Sequence, residues 1–65
     1  MTPAEARLLD RLRRLNEGLA DLGCTPLFRD SVAEAFSYTH LQVAVDLTEV
    51  ELIRVTSVLQ EGGGE

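Results

Sequence analysis

The chain has 65 residues and a net charge of −5, from eleven acidic residues against six basic ones, all arginine. A domain this short buries only about 60% of the surface its unfolded chain exposes, and the acidic balance speaks against nucleic acid as the main partner. The single cysteine, Cys24, excludes an internal disulfide, and with the single histidine, His40, it offers no paired metal-ligand spacing. A small scaffold lacking those staples is expected to complete itself against another surface, most simply a second copy of itself.

The first predicted element is an amphipathic helix from about Pro3 to Leu22. Thr2 suits the N-cap and Pro3 the first helical position, and Glu5 has the capping-box spacing. Leu8, Leu12, Leu15, Leu19 and Leu22 follow at alternating spacings of four and three, a heptad seam of two repeats. That seam serves equally as the buried face of the domain's own helix or as a self-pairing surface. Gly23 is placed to end the helix, and Gly18 within it suggests close approach by another element.

Residues 24–29 read as a connection or an edge strand, since Pro26 forbids a central one. Ser31 and Glu34 have capping-box spacing for a short helix carrying Val32, Ala35 and Phe36, with a hairpin loop as the alternative. Leu41, Val43, Val45 and Leu47 alternate onto one face, which predicts a strand over 41–47. Thr48 and Glu51 form a second capping-box pattern, so a helix is expected from there to about Gln60. The β-branched residues between 50 and 58 keep a second strand in play.

The resulting expectation is an α+β domain spanning 1–60. It has a long N-terminal amphipathic helix, one or two short antiparallel strands and a C-terminal helix, followed by a flexible Gly-rich tail over 61–65. An N-terminal helix followed by a β-meander is the alternative. A lone strand cannot satisfy its own backbone groups, which again favours pairing between copies. The expected oligomer interface is Leu8, Leu12, Leu15, Leu19, Leu22, Val43 and Val45.

Charge is unevenly spread. Residues 1–30 balance, and residues 31–65 hold Arg54 against six acids. Asp46, Glu49 and Glu51 are the candidate acidic docking patch for a basic protein partner. Arg7, Arg11 and Arg14 form a candidate basic stripe for phosphate, although acids at pairing distance along the helix make intrahelical ion pairs the default. Ser37, His40 and Asp46, or Cys24 and His40, hold the residue types of a nucleophilic site. So short a chain has little room for the cleft such chemistry needs, so no catalytic, cofactor or metal residue is expected.

In layout, the strand-then-helix order over 41–59 resembles ribbon–helix–helix repressors. The second helix of that fold is missing, and Gln42, Ala44 and Asp46 offer no base to a groove. The helix–hairpin–helix alternative resembles small phage head–tail joining proteins in layout only. The end Gly63-Gly64-Glu65 resembles that of prokaryotic ubiquitin-like modifiers, which are poor in apolar residues, whereas this chain is 45% hydrophobic. The N-terminus lacks a secretion-signal layout, and no apolar run approaches the ~18–20 residues of a membrane span, so a cytoplasmic protein is expected. The function expected is a small acidic non-enzymatic protein-binding module, an adaptor, inhibitor or regulatory subunit of phage or plasmid type, and homo-oligomeric. A structural subunit of a symmetric assembly such as a phage virion is the first alternative, and a nucleic-acid-binding regulator the second.

Overall fold

A computed structural model describes residues 1–63 and contains three helices. They are α1 (Pro3–Asp21), the single turn α2 (Asp30–Ala33) and the long α3 (Tyr38–Gly63). The capping box at the start of α1 forms as the sequence implies. The Glu5 amide donates to Thr2 Oγ1 at 3.2 Å, and the Thr2 amide donates to Glu5 Oε1 at 3.3 Å. Two of the amides that a helix start leaves without partners are thereby satisfied. At the other end Gly23 takes φ +80°, a left-handed conformation that costs glycine little. Its amide reaches Ala20 O and that of Cys24 reaches Leu19 O, each at 2.9 Å. Those two bonds close the last carbonyls in a Schellman motif.

From there the chain turns back along α1. Asn16, buried on α1, donates through Nδ2 to Phe28 O at 2.7 Å and to Asp30 Oδ1 at 3.1 Å. This ties the returning segment to the helix. Ser31 does not cap α2, because the turn begins one residue earlier, after Arg29. Phe36 falls beyond α2 and packs on the core.

The return segment makes α1 and α3 run in the same direction. Near the start of each helix Leu9 and Leu12 pack with Leu41, Ala44 and Val45. Further along both, Gly18 faces the methyl groups of Leu52. Ala33 closes the core from the α2 side, and Leu8, Leu15, Phe28 and Phe36 pack around it. Leu52 is level with Gly18, and α1 ends three residues later. At 1.5 Å per residue, α3 outruns α1 by about 12 Å. The molecule is accordingly elongated, 46 × 16 × 14 Å.

The α+β expectation is overturned: the described residues are helical, with no strand or sheet. The 41–47 segment, read as a strand, is the N-terminal part of α3, which runs on without a break through the helix expected from Thr48 to Gln60. Two periods coexist in this stretch. Leu41, Val43, Val45 and Leu47 alternate, but Leu41, Ala44, Val45 and Thr48 recur at helical spacing. It is the second set that is buried, while Val43 and Leu47 point outward. A helix satisfies its own backbone groups, whereas a strand here would have had no neighbour in the chain. The β-branched residues of α3 cost a few tenths of a kcal/mol each, and packing against α1 overrides them. Thr48 sits mid-helix and its hydroxyl donates to Ala44 O at 2.7 Å, a back-bond in place of a cap.

Of the 61–65 segment expected as a flexible tail, Glu61–Gly63 are the end of α3 and the remaining two residues lie outside the described residues.

Candidate protein-docking surface

The leucine seam of α1 is spent inside the molecule. Leu12 and Leu19 are fully buried and Leu8 and Leu15 half-buried. Leu22 alone of the seam is largely open, at the end of the helix. Val45 is buried as well, so Leu12, Leu19 and Val45 have no surface left to offer a second chain. Val43, the remaining residue of the expected interface, is exposed.

The exposed apolar surface lies on α3 instead. Seven of the eleven large hydrophobic residues found exposed among the described residues belong to it: Tyr38, Val43, Leu47, Val50, Ile53, Val58 and Leu59. At 100° per residue, Val43, Leu47 and Val50 fall within about 60° of arc, on the side turned away from Leu41, Ala44, Val45 and Thr48. Leu47 is 51% and Val50 64% exposed. An apolar stripe of three consecutive turns opposite a helix's buried face has no role within the chain.

The stripe opens at its N-terminal end into a cleft of about 270 Å³ lined by Phe28, Phe36, His40, Val43 and Ala44. Phe28 and Phe36 meet edge to face at 5.8 Å, and the His40 ring stands edge-on to Phe36 at 6.0 Å. Val43 belongs to both cleft and stripe, so the two form one continuous surface. A second cleft, of about 290 Å³, lies between charged residues of both signs, Arg13, Glu17, Arg29 and Asp30, with Ala20 and Pro26. Beneath it Asn16 Oδ1 is buried and accepts no hydrogen bond among the described residues, whereas Nδ2 donates to two acceptors.

The acidic triplet is not one patch. Glu49 is paired with Arg11 of α1 and Glu51 with Arg54. Asp46 and Glu51 are five residues apart, which turns them about 140° from each other around the helix. Asp46 is exposed and in no ion pair among the described residues. The arginine stripe is likewise engaged. Arg11 pairs with Glu49 and Arg14 with Asp10, while the neighbouring Arg13 pairs with Glu34. Arg7 is the member of the stripe that makes no ion pair among the described residues. These pairs are solvent-exposed and contribute little to stability, but they lower the field either cluster presents.

The candidate nucleophilic sets do not assemble. Ser37 Oγ accepts the His40 amide at 3.4 Å, as a cap at the start of α3. Asp46 leaves the helix on a different side from His40. Cys24 lies by Leu19 at the far end of α1, level with Leu52, roughly 18 Å along the helix axis from His40. No cluster of metal-binding side chains occurs among the described residues, nor is any helix there long and apolar enough to cross a membrane.

Leu47, Val50 and Val58, and the Phe28–Phe36–His40 cleft, were missed by reading the sequence. The signal for the first two is present: Val43, Leu47 and Val50 stand at i, i+4 and i+7, a second helical stripe that the alternation over 41–47 masked. The cleft depends on how the return segment lays Phe28 against Phe36 and the start of α3, which the spacing of these residues does not announce. The chain matches no protein-family model, no curated protein and no solved structure.

Proposed function

We propose that this chain is a small, non-enzymatic protein-binding module of the cytoplasm, acting as an adaptor, inhibitor or regulatory subunit. Its docking element is the outward face of α3. One observation carries the reading: Val43, Leu47 and Val50 are exposed in a row opposite the core of a helix that is already fully packed on its other side. Isolated surface hydrophobics need no explanation, but a contiguous stripe running into an apolar cleft is the mark of an interaction surface. The partner it suits is an apolar helix face, in the helix-in-groove mode. The first-choice role of Asp46, Glu49 and Glu51 as a single docking patch gives way to this, since two of the three are engaged within the chain.

Photo-crosslinking tests the proposal. A benzophenone side chain at Leu47 should give discrete protein adducts in the source cell, and the same group at exposed Gln60 should not. Equal diffuse labelling from both positions would remove the docking role of α3.

A further inference from the structure

We infer that the outward face of α3 pairs with the same face of a second copy, antiparallel, forming a two-fold homodimer. The inference rests on the docking reading above and names its occupant.

Continuing the stripe in both directions gives His40, Val43, Leu47, Val50 and Arg54, at alternating spacings of three and four. That is the repeat that keeps one seam of a helix facing a partner helix. Val58 follows one turn further on, in the part of α3 that extends past α1. The direction of pairing follows from charge. A parallel, in-register pair would set Arg54, near the midline of the seam, beside Arg54. An antiparallel pair centred between Leu47 and Val50 sets Leu47 against the partner's Val50, and Val43 against the partner's Arg54. Each Arg54, which within its own chain is paired with Glu51, then comes within an arginine's reach of the partner's Asp46, the carboxylate of the acidic triplet that has no ion-pair partner among the described residues. Opposite charges meet where the other arrangement would put like charges together.

The same register accounts for two further features. It carries Val58, on the overhanging end of α3, to the partner's His40 and so to the mouth of the cleft lined by Phe28 and Phe36. The overhang and the cleft are then complementary parts of one isologous interface. The chain exposes 4588 Å², roughly 500 Å² more than the about 4,100 Å² typical of a compact monomer of this mass, as its elongated shape requires.

The test is the solution mass of the full chain over a range of concentrations, by sedimentation equilibrium, with far-UV circular dichroism on every variant. The wild type is expected to be a dimer. Leu47→Glu, or Val50→Asp should the first variant lose helicity, is expected to weaken the dimer by about 100-fold or more, because each buries charge against an apolar surface. Asp46→Arg and Arg54→Asp are each expected to weaken it about tenfold, and the double exchange to restore it. A wild-type chain that stays monomeric, forms larger discrete oligomers, or dimerises unaffected by helical Leu47→Glu and Val50→Asp variants overturns the inference. Dimers that the double exchange fails to restore overturn the antiparallel register. A strict monomer whose Leu47 label still captures a different protein sinks self-pairing alone and leaves the docking reading standing.

Discussion

The two long helices treat their apolar residues in opposite ways. On α1 the large side chains are gathered on one face, and that face is buried against α3 and the returning segment. The other side carries arginines and acids, among them the ion-paired Asp10, Arg11, Arg13 and Arg14. On α3 the side facing α1 is filled by Leu41, Ala44, Val45 and Thr48, yet Val43, Leu47, Val50, Ile53 and Val58 stand exposed elsewhere around it. A helix with one apolar stripe is completed by its own domain, whereas a helix with a second stripe opposite its buried one has an apolar face that its own domain leaves uncovered. The contrast separates stability from recognition: α1 holds the fold together, and α3 both closes the core and faces outward.

Truncation on either side of that divide should give the largest difference. Leu12→Ala removes a fully buried side chain at the centre of the core and should destabilise the fold by about 2–5 kcal/mol. Leu47→Ala, on the open face of α3, should change the stability of a single chain by no more than about 0.5 kcal/mol. Urea denaturation at concentrations low enough to keep single chains measures both. Equal losses would mean that the two faces are not distinct.

Asn16 is the one polar residue in the buried face of α1, and its replacement sharpens the same contrast. Asn16→Ala leaves Phe28 O and Asp30 without their shared donor and should cost about 1–3 kcal/mol. The loss should be accompanied by faster amide exchange in residues 28–33, which Asn16 ties to the helix, and not in α3. Uniform exchange changes across the chain would show that Asn16 does no more than fill space.

Gly18 faces Leu52 of α3, and the expected effect there is a gain. A Cβ built on it meets Leu52 Cδ2 at 3.4 Å and Cδ1 at 3.5 Å, which is ordinary contact. Gly18→Ala should therefore raise the thermal midpoint, by up to the roughly 1 kcal/mol that alanine gains over glycine inside a helix. A fall would show that the helices lie closer than this geometry allows.

The smallest effect concerns the start of α1 and appears only in acid. The side-chain and backbone hydrogen bonds with Thr2 hold the Glu5 carboxyl below its ordinary value of 4.5. A depressed folded-state value means that the ionised form supports the fold above the unfolded value, and that this support fades as pH falls through the folded one. Glu5→Gln should flatten the acid limb of the stability–pH curve below about pH 4.5 and leave the neutral region nearly unchanged. An unaltered acid limb would show that the capping box is not linked to folding.

Local chemistry made α1 readable from the residues alone. Thr2, Pro3 and Glu5 start it, the leucine spacing defines its buried side, and Gly23 ends it; each of these signals acts within a few residues. The same reading went astray at 41–47, because Val43 and Val45 favour strands locally and the alternation there competes with the helical recurrence of Leu41, Ala44, Val45 and Thr48; the helix expected over 48–60 is present as the later part of α3. Only the tertiary structure decided between the two periods. The surface offered by Leu9 and Leu12 accepts a helix, and no second strand exists to pair with an extended segment. The candidate docking surface was hidden for the same reason. Whether Leu47 is core or surface depends on which side of α3 meets α1, a choice made by packing between residues more than thirty positions apart.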